Sequence, residues 1–211
     1  MKIDKRITGL RHRLNEKNVD AILISRPENR YYLSGFNGSA GYLFITHNSL
    51  VLATDFRYVE QAKEQAPAYT LFRISGSTDK WFPEIIDGLK IKQLGFESSD
   101  MSFERYQALS SAIDKAGIEL ELTPLNDVVE TIRMVKDIEE IAFIEQATQI
   151  SDKAFQHIEE VIHAGMTELD VAWELEKSLR EAGSQSIPFE IIVGSGPNAA
   201  LPHAQPSVRM I

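Results

Sequence analysis

The chain contains no cysteine, no excess of basic residues and no long apolar run. Without cysteine, neither a disulfide framework nor a thiolate metal site can form. The 22 Lys and Arg residues against 31 Asp and Glu give a formal charge of -9, which would repel a nucleic-acid backbone. No apolar run approaches the roughly 20 residues that cross a bilayer, and the opening MKIDKRITGL lacks the apolar part of a secretory signal. The sequence therefore predicts a cytoplasmic protein that binds neither nucleic acid nor membrane.

What is present is the material for a folded core, since 43% of the 211 residues are hydrophobic and 9% are aromatic. Apolar residues at helical spacing in 4–18 predict an amphipathic helix. AILI then predicts a buried strand, and GYLFI with LVLAT around THNS predicts a hairpin. Further strand and helix patterns interleave as far as TLFRI, QLGFE and IELELTP. Residues 1–124 are therefore predicted to form an α/β domain around a central sheet.

A linker at 125–136 precedes a second region, residues 137–211. Asp137 with Glu140 predicts a capping box at the start of a long helix, for which Gly165 would be the C-terminal cap. Thr167 with Asp170 predicts a second helix that ends near Gly183, and FEIIV then predicts a strand. A single strand leaves its backbone donors and acceptors unpaired. We therefore expect 137–211 to be the first part of a domain whose remainder is missing or is supplied by another chain.

The GSGPN sequence around Ser195 suggests two catalytic motifs and matches neither. A nucleophile elbow requires glycine two residues before and after the serine, where Val193 and Pro197 stand. The dinucleotide-binding fingerprint requires a third glycine where the chain has Ala199. A turn formed by the glycines is the favoured interpretation.

His157, Glu160 and His163 lie at spacings of three on the long predicted helix. Two imidazoles six residues apart are almost two turns distant, unlike the spacing of four in metal-binding helices, so a solvated polar face is favoured over a metal site.

The TDFRY segment has two interpretations. It could be a functional loop, but Thr54 as an N-cap with Asp55 in the first turn explains it without a function, and the cap is favoured.

His203 lies in a predicted loop between Pro202 and Pro206. Prolines restrict the backbone, so a side chain between them can be held in one orientation. An imidazole can transfer a proton near neutral pH. These facts support a catalytic role and an ordinary surface histidine about equally.

Several segments resemble a known family. RMVKDIEE, AGMTELD and FEIIVGSGPNAALPH resemble the start of the catalytic domain of the aminopeptidase P and prolidase family of metallopeptidases. YLSGFNGSAGYLFI and TDFRYVEQA resemble the creatinase-type N-terminal domain that precedes it. The resemblance covers essentially the whole chain.

The resemblance implies a ribonuclease H-like N-terminal domain with a mixed sheet, followed by an incomplete pita-bread α+β domain. It implies hydrolysis of the bond before proline in proline-containing peptides, two divalent ions (manganese or cobalt) in a complete enzyme, and a homodimer. The family histidine that matches His203 binds substrate and handles protons beside the metals. The position of Phe189 is usually aromatic and lines the pocket for the N-terminal side chain of the substrate.

The resemblance also implies an incomplete site, because the family's metal ligands all fall after the position of Ile211. No metal is therefore expected in residues 1–211, and the chain is expected to be inactive alone. One alternative is a non-catalytic dimerisation or binding module. The other is a creatinase-like amidinohydrolase, which uses the matching histidine without metal.

Overall fold

The computed structural model describes residues 3–187 and 189–211 of the chain, which divides into two compact units, residues 1–135 and 136–211. The first unit alternates helices and strands. In chain order these are α1 (Ile3–Lys17), β1 (Ala21–Ile24), α2 (Pro27–Ser34), β2 (Tyr42–Thr46), β3 (Leu50–Thr54), α3 (Val59–Gln65), β4 (Thr70–Arg73), α4 (Thr78–Leu89), β5 (Gln93–Glu97), α5 (Phe103–Ala116), β6 (Glu121–Leu125) and α6 (Val128–Arg133).

The strands of this unit form one six-stranded mixed sheet in the order β4-β3-β2-β1-β5-β6. Strand β2 runs antiparallel to both of its neighbours, and the remaining pairs are parallel. The carboxyl ends of β1, β3, β4, β5 and β6 therefore meet at one edge of the sheet. The predicted α/β class is confirmed, and so is the hairpin, which is β2 and β3.

Strand β1 is buried along its whole length because helices cover both faces of the sheet. Successive side chains of a strand point to opposite faces, so Ile22 and Ile24 pack on one side and Leu23 on the other. Helix α1 covers the first side with the residues whose helical spacing predicted it, Ile7, Leu10 and Leu14. Helices α4 and α5 cover the second side with the buried residues Trp81, Phe82, Ile85, Ile86, Leu109, Ala112 and Ile113.

Helix α6 belongs to the same core. Leu125 at the end of β6 and Val128 and Val129 in α6 are buried with the residues of α1. The first unit therefore continues structurally through the segment that follows the last strand.

The second unit contains two long helices, α7 (Ile138–Val161) and α8 (Glu168–Glu181), and a short 3₁₀ helix (Gly196–Ala200). Both predicted capping boxes are confirmed. The Glu140 N–H donates to Asp137 Oδ1 over 2.9 Å, and the Asp170 N–H donates to Thr167 Oγ1 over 3.1 Å. In each box the backbone N–H of the capping residue also donates to the side chain of the acidic residue three positions later.

The apolar face of α7 is largely exposed. Ile138 is 82% exposed and Phe155 62%, and on α8 Trp173 is 62% exposed. The buried hydrophobic residues of the second unit, within the described ranges, are Ala154, Val171 and Ala204. None of the helices in those ranges combines the length and apolar character that a membrane crossing requires.

Two predictions for this unit are wrong. Residues 189–193 (FEIIV) do not form a strand, because the described part of the unit has no strand edge to satisfy their backbone groups. Helix α7 ends at Val161 rather than Gly165, because Ile162 has extended backbone angles (φ -65°, ψ 130°).

The cap predicted at TDFRY is also displaced by one residue. Thr54 is the last residue of β3, and its hydroxyl donates to the Ala40 carbonyl over 2.7 Å. Asp55 is the N-cap of a 3₁₀ helix, Phe56–Tyr58, and accepts from the Arg57 N–H over 3.0 Å. The strand continues through Thr54 because its backbone pairs with Arg73 of β4.

Gly95 lies where β5 is paired on both sides, and a Cβ there would overlap the Leu125 side chain and lie 3.4 Å from the Ala21 carbonyl oxygen. We expect Gly95→Ala to lower the free energy of unfolding by about 1–3 kcal/mol through overpacking. Urea unfolding followed by circular dichroism measures the change.

Gly88→Ala is the matched control, because Gly88 is exposed in α4 and a Cβ there meets nothing within 4 Å. Alanine should raise the unfolding free energy by roughly 0.5–1 kcal/mol at that helical position. Equal effects of the two substitutions would contradict the packing described for Gly95.

Candidate functional site

The segment that carries His203 leaves α8 through a turn at Gly183 (φ +104°) and returns to the start of the same helix. Its last residues run beside the residues before α8. The Ile211 N–H donates to the Met166 carbonyl over 2.8 Å, and Thr167 forms a bridge with Met210. The described residues of 184–211 therefore form a long loop around the short 3₁₀ helix, and the far end of this loop is hydrogen-bonded to the start of α8.

The first N–H groups of α8 are used in this closure. The Glu168 N–H donates to the Arg209 carbonyl over 2.9 Å, and the Leu169 N–H donates to the Ser207 carbonyl over 3.2 Å. The first turn of a helix has N–H groups without partners inside the helix, and here the returning chain supplies carbonyl groups to two of them.

The Glu168 carboxylate lies at the centre of this contact and is fully buried. It accepts the backbone N–H of Ser195 over 2.7 Å, the backbone N–H of Ser207 over 3.1 Å and the amide of Asn198 over 3.1 Å. The Ser207 hydroxyl donates to it over 2.7 Å. One carboxylate thus joins residues that lie 27 to 39 positions further along the chain.

These donors lower the pKa of Glu168 to about 2, first through the Ser195 N–H and then through the Ser207 hydroxyl. Burial acts in the opposite direction, and the Asn198 amide and the Ser195 hydroxyl add to the lowering. A carboxylate that accepts several hydrogen bonds is stabilised in its charged form. Glu168 is therefore a carboxylate, not a carboxylic acid, at neutral pH.

Phe189 and His203, the two residues predicted to contact substrate, are both on the surface of this unit. Phe189 is 73% exposed and His203 is exposed. Their neighbours are joined, because the Gln205 side-chain amide donates to the Glu190 carboxylate over 3.2 Å. Their roles in substrate binding and catalysis remain predictions.

The Ser195 side chain takes part in the contact between the loop and the start of α8. Its hydroxyl lies 3.1 Å from Glu168 Oε1 and 3.1 Å from the Met210 carbonyl oxygen. The glycines around it lead into the 3₁₀ helix, and Gly196 has a φ of +50° and a site where a Cβ would overlap the Arg209 guanidinium. The turn interpretation of GSGPN is confirmed.

The described residues do not fit a metal centre. Within 3–187 and 189–211 no group of three or more His, Asp or Glu side chains is placed to hold an ion. His157 Nε2 lies 3.7 Å from a carboxylate oxygen of Glu174, and His163 Nδ1 lies 3.0 Å from the carbonyl oxygen of Ala164. Those two histidines are thus engaged with separate neighbours.

The first unit has a cavity of about 460 Å³ at the carboxyl ends of its strands. Ser25 follows β1 there, Asp55 follows β3, and Arg30, Asp100 and Arg105 also line the cavity. Clefts at this edge of α/β sheets are common ligand sites. The lining carries charges of both signs, so its electrostatics select no single class of ligand.

A second buried carboxylate, Glu97, joins the same edge of the sheet to α2. It accepts the N–H groups of Ser25 over 2.7 Å and Arg26 over 2.8 Å, and the Asn29 amide over 2.6 Å. Burial raises the pKa of Glu97 despite these bonds, and the nearby Glu130 carboxylate adds to the rise.

Comparison with known proteins identifies both units. Residues 6–135 match the creatinase/prolidase N-terminal domain, and residues 142–211 match metallopeptidase family M24. An uncharacterized peptidase, YqhT, of Bacillus subtilis is 37% identical over the whole chain, which spans 58% of that relative. A Xaa-Pro dipeptidase of Pyrococcus horikoshii is 34% identical over 94% of this chain and 54% of its own length.

Solved structures agree. A Xaa-Pro dipeptidase from Bacillus anthracis superposes on the whole chain with a TM-score of 0.91 and 36% identity, and the match covers 58% of that structure. The chain thus spans a little more than half the length of the relatives it matches. These findings define the class by its domains, a creatinase/prolidase N-terminal domain followed by a segment that matches metallopeptidase family M24. Within that class, the chain belongs to the aminopeptidase P and prolidase family and carries its creatinase/prolidase N-terminal domain.

Sequence reasoning missed Glu168 as a site residue. Its position after Thr167 places it in the first turn of α8, where a glutamate is ordinary because it favours the helix dipole. The signal that distinguishes it is burial, and its partners are remote in sequence. Residue spacing alone therefore could not have revealed it.

The lowered pKa of Glu168 predicts an acid transition at the loop. Its folded pKa of about 2 lies below the ordinary value of 4.5, so the stabilisation is fully present above pH 4.5 and is lost as the pH falls towards 2. The amide shifts of the folded protein follow the folded pKa, so we expect those of Ser195 and Ser207 to be constant from pH 7 to about pH 4 and to move as the pH approaches 2.

The Ile162 amide, which donates to the Ile158 carbonyl over 2.9 Å, is the internal control and should move far less. Movement of the two serine amides between pH 7 and 5 would show that Glu168 is not the acceptor described.

Proposed function

We propose that this chain forms part of a Xaa-Pro peptidase, an enzyme that hydrolyses the peptide bond before proline. The observation that carries the proposal is the exposed His203 on a loop that is tied at both sides to the start of α8, in a chain that belongs to the prolidase family. A fixed loop with an accessible imidazole suits a group that must meet a peptide in one orientation.

In this proposal His203 binds the substrate and moves a proton at an imidazole nitrogen during hydrolysis. Phe189, an exposed aromatic ring next to the Glu190 that bonds to Gln205, supplies an apolar wall for the N-terminal side chain of the peptide. Residues 137–211 then form the N-terminal part of a pita-bread domain, and the working compartment is the cytoplasm.

The metal requirement is a separate part of the proposal. The family is one of metallopeptidases, and the described residues do not fit a metal centre. We therefore assign no step to an ion held by residues 1–211. Manganese or cobalt is proposed as the ion that supports activity in the complete enzyme, and the assay should be run with each.

The test is hydrolysis of Xaa-Pro dipeptides and of longer Xaa-Pro peptides by the protein as the cell makes it, with the corresponding Xaa-Ala peptides as a comparison. We expect His203→Ala to lower kcat by about 100-fold or more, because loss of acid–base catalysis has effects of that order. Thermal unfolding should be unchanged, since the side chain is exposed.

His163→Ala is the control, because that histidine is also exposed and its hydrogen bond is to the adjacent Ala164 carbonyl. Its kcat should equal that of the wild type. Equal rates for Xaa-Pro and Xaa-Ala peptides, or an unchanged rate in His203→Ala, would overturn the proposal.

A second candidate function, a non-catalytic dimerisation module, is favoured by the exposed apolar side chains of α7. This candidate predicts a homodimer whose mass in light scattering is twice 23.8 kDa for the 211-residue chain. Phe155→Asp should then halve the mass because it places a charge in an apolar contact. Phe103→Asp, at an exposed phenylalanine of the first unit, should not. A monomer that hydrolyses Xaa-Pro peptides would exclude this candidate.

A further inference from the structure

Glu168 is a charged residue in a position where charged side chains are rare. It is the first residue of α8, and none of its surface is exposed. Removing a carboxylate from water is unfavourable unless hydrogen-bond donors replace its hydration. The donors around Glu168 all belong to the returning loop, at Ser195, Asn198 and Ser207.

The two carboxylate oxygens divide the loop between them. Oε1 accepts the N–H of Ser195 over 2.7 Å, and the Ser195 hydroxyl lies 3.1 Å from it. Oε2 accepts the N–H of Ser207 over 3.1 Å and its hydroxyl over 2.7 Å. The Asn198 amide nitrogen lies 3.1 Å from each oxygen and bridges them. Each oxygen therefore holds one side of the loop.

His203 lies between the two attachment points, after Asn198 and before Ser207. Its neighbours Pro202 and Pro206 restrict the backbone within that segment. Because both sides of the segment are bound to one carboxylate, the segment loses much of its conformational entropy on folding, before any substrate binds. A group held in this way reacts faster than one on a mobile loop, and a displacement of 1 Å can cost about 100-fold in rate.

We propose that Glu168 is a positioning residue that orients the His203 imidazole for the reaction by binding both sides of its loop. This inference rests on the proposed role of His203. It assigns to Glu168 no contact with substrate and no proton transfer.

A carboxylate suits this position better than an amide. All the groups that face Glu168 donate, and two of them, the Ser195 and Ser207 N–H groups, are backbone donors that cannot reverse. A carboxylate accepts at both oxygens, whereas glutamine would present an NH₂ group to one of these N–H groups. Glu168→Gln therefore keeps the size of the side chain and releases one side of the loop.

We expect Glu168→Gln in the full chain to lower kcat for an Xaa-Pro peptide by about 10- to 100-fold, with a much smaller change in KM. In NMR spectra of histidine-labelled protein the His203 ring signal should shift and sharpen as its loop becomes mobile. The His163 signal should stay where it is, because that residue lies outside the released loop.

Glu176→Gln is the matched control on the same helix. Its carboxylate accepts from Arg180 Nε over 2.9 Å at the surface, so glutamine there removes a hydrogen-bonded negative charge without touching the loop. It should leave kcat and both histidine signals unchanged. A loss of rate in Glu168→Gln with an unmoved His203 signal would overturn the positioning role.

Ser207→Ala and Asn198→Ala keep the inference testable if Glu168→Gln does not fold. Each removes a single side-chain donor and leaves the carboxylate and both backbone donors in place, so each should shift the His203 signal in the same direction by less. No shift in either would contradict the inference. The NMR result does not depend on peptidase activity, so an unchanged rate in His203→Ala would refute the proposed function while the spectra still decide the role of Glu168.

Discussion

The hydrogen bonds from Ser195 and Ser207 to the buried Glu168 carboxylate hold the loop of His203 against the start of α8. The second unit has few buried apolar residues within its described ranges, so apolar packing cannot account for the order of this loop. A buried carboxylate with several hydrogen-bond donors can account for it, because loss of any donor would leave the buried charge less well solvated and so destabilise the folded loop. The position of the candidate catalytic imidazole depends on this polar contact.

The first unit uses a similar device with a different electrostatic result. Glu97 accepts backbone N–H groups at the start of α2, as Glu168 does from its loop, yet the pKa of Glu97 is raised and that of Glu168 is lowered. The difference lies in the surroundings. Around Glu97 burial dominates and the Glu130 carboxylate repels its charge, with the Asn29 amide bonded to both. Around Glu168 the hydrogen-bond donors dominate, so the charged form of the carboxylate is stabilised.

Sequence patterns predicted the parts that depend on neighbouring residues. The stripe of Ile7, Leu10 and Leu14 marked the buried face of α1, and the capping boxes at Asp137 and Thr167 marked the starts of α7 and α8. The prediction of a strand at FEIIV was wrong because a strand forms only when another chain segment pairs with it. The sequence did not predict the role of Glu168, because its burial results from contacts with residues 27 to 39 positions further along the chain.

By itself, the sequence determined the α/β class of the first unit, its buried helix faces, the two capped helices and the family to which the chain belongs. All of these rest on spacings of a few residues or on contiguous motifs. Only the tertiary structure decided that FEIIV is not a strand and that one carboxylate holds both sides of the His203 loop. Such contacts join residues that are distant in sequence, and they form only when the chain folds back on itself.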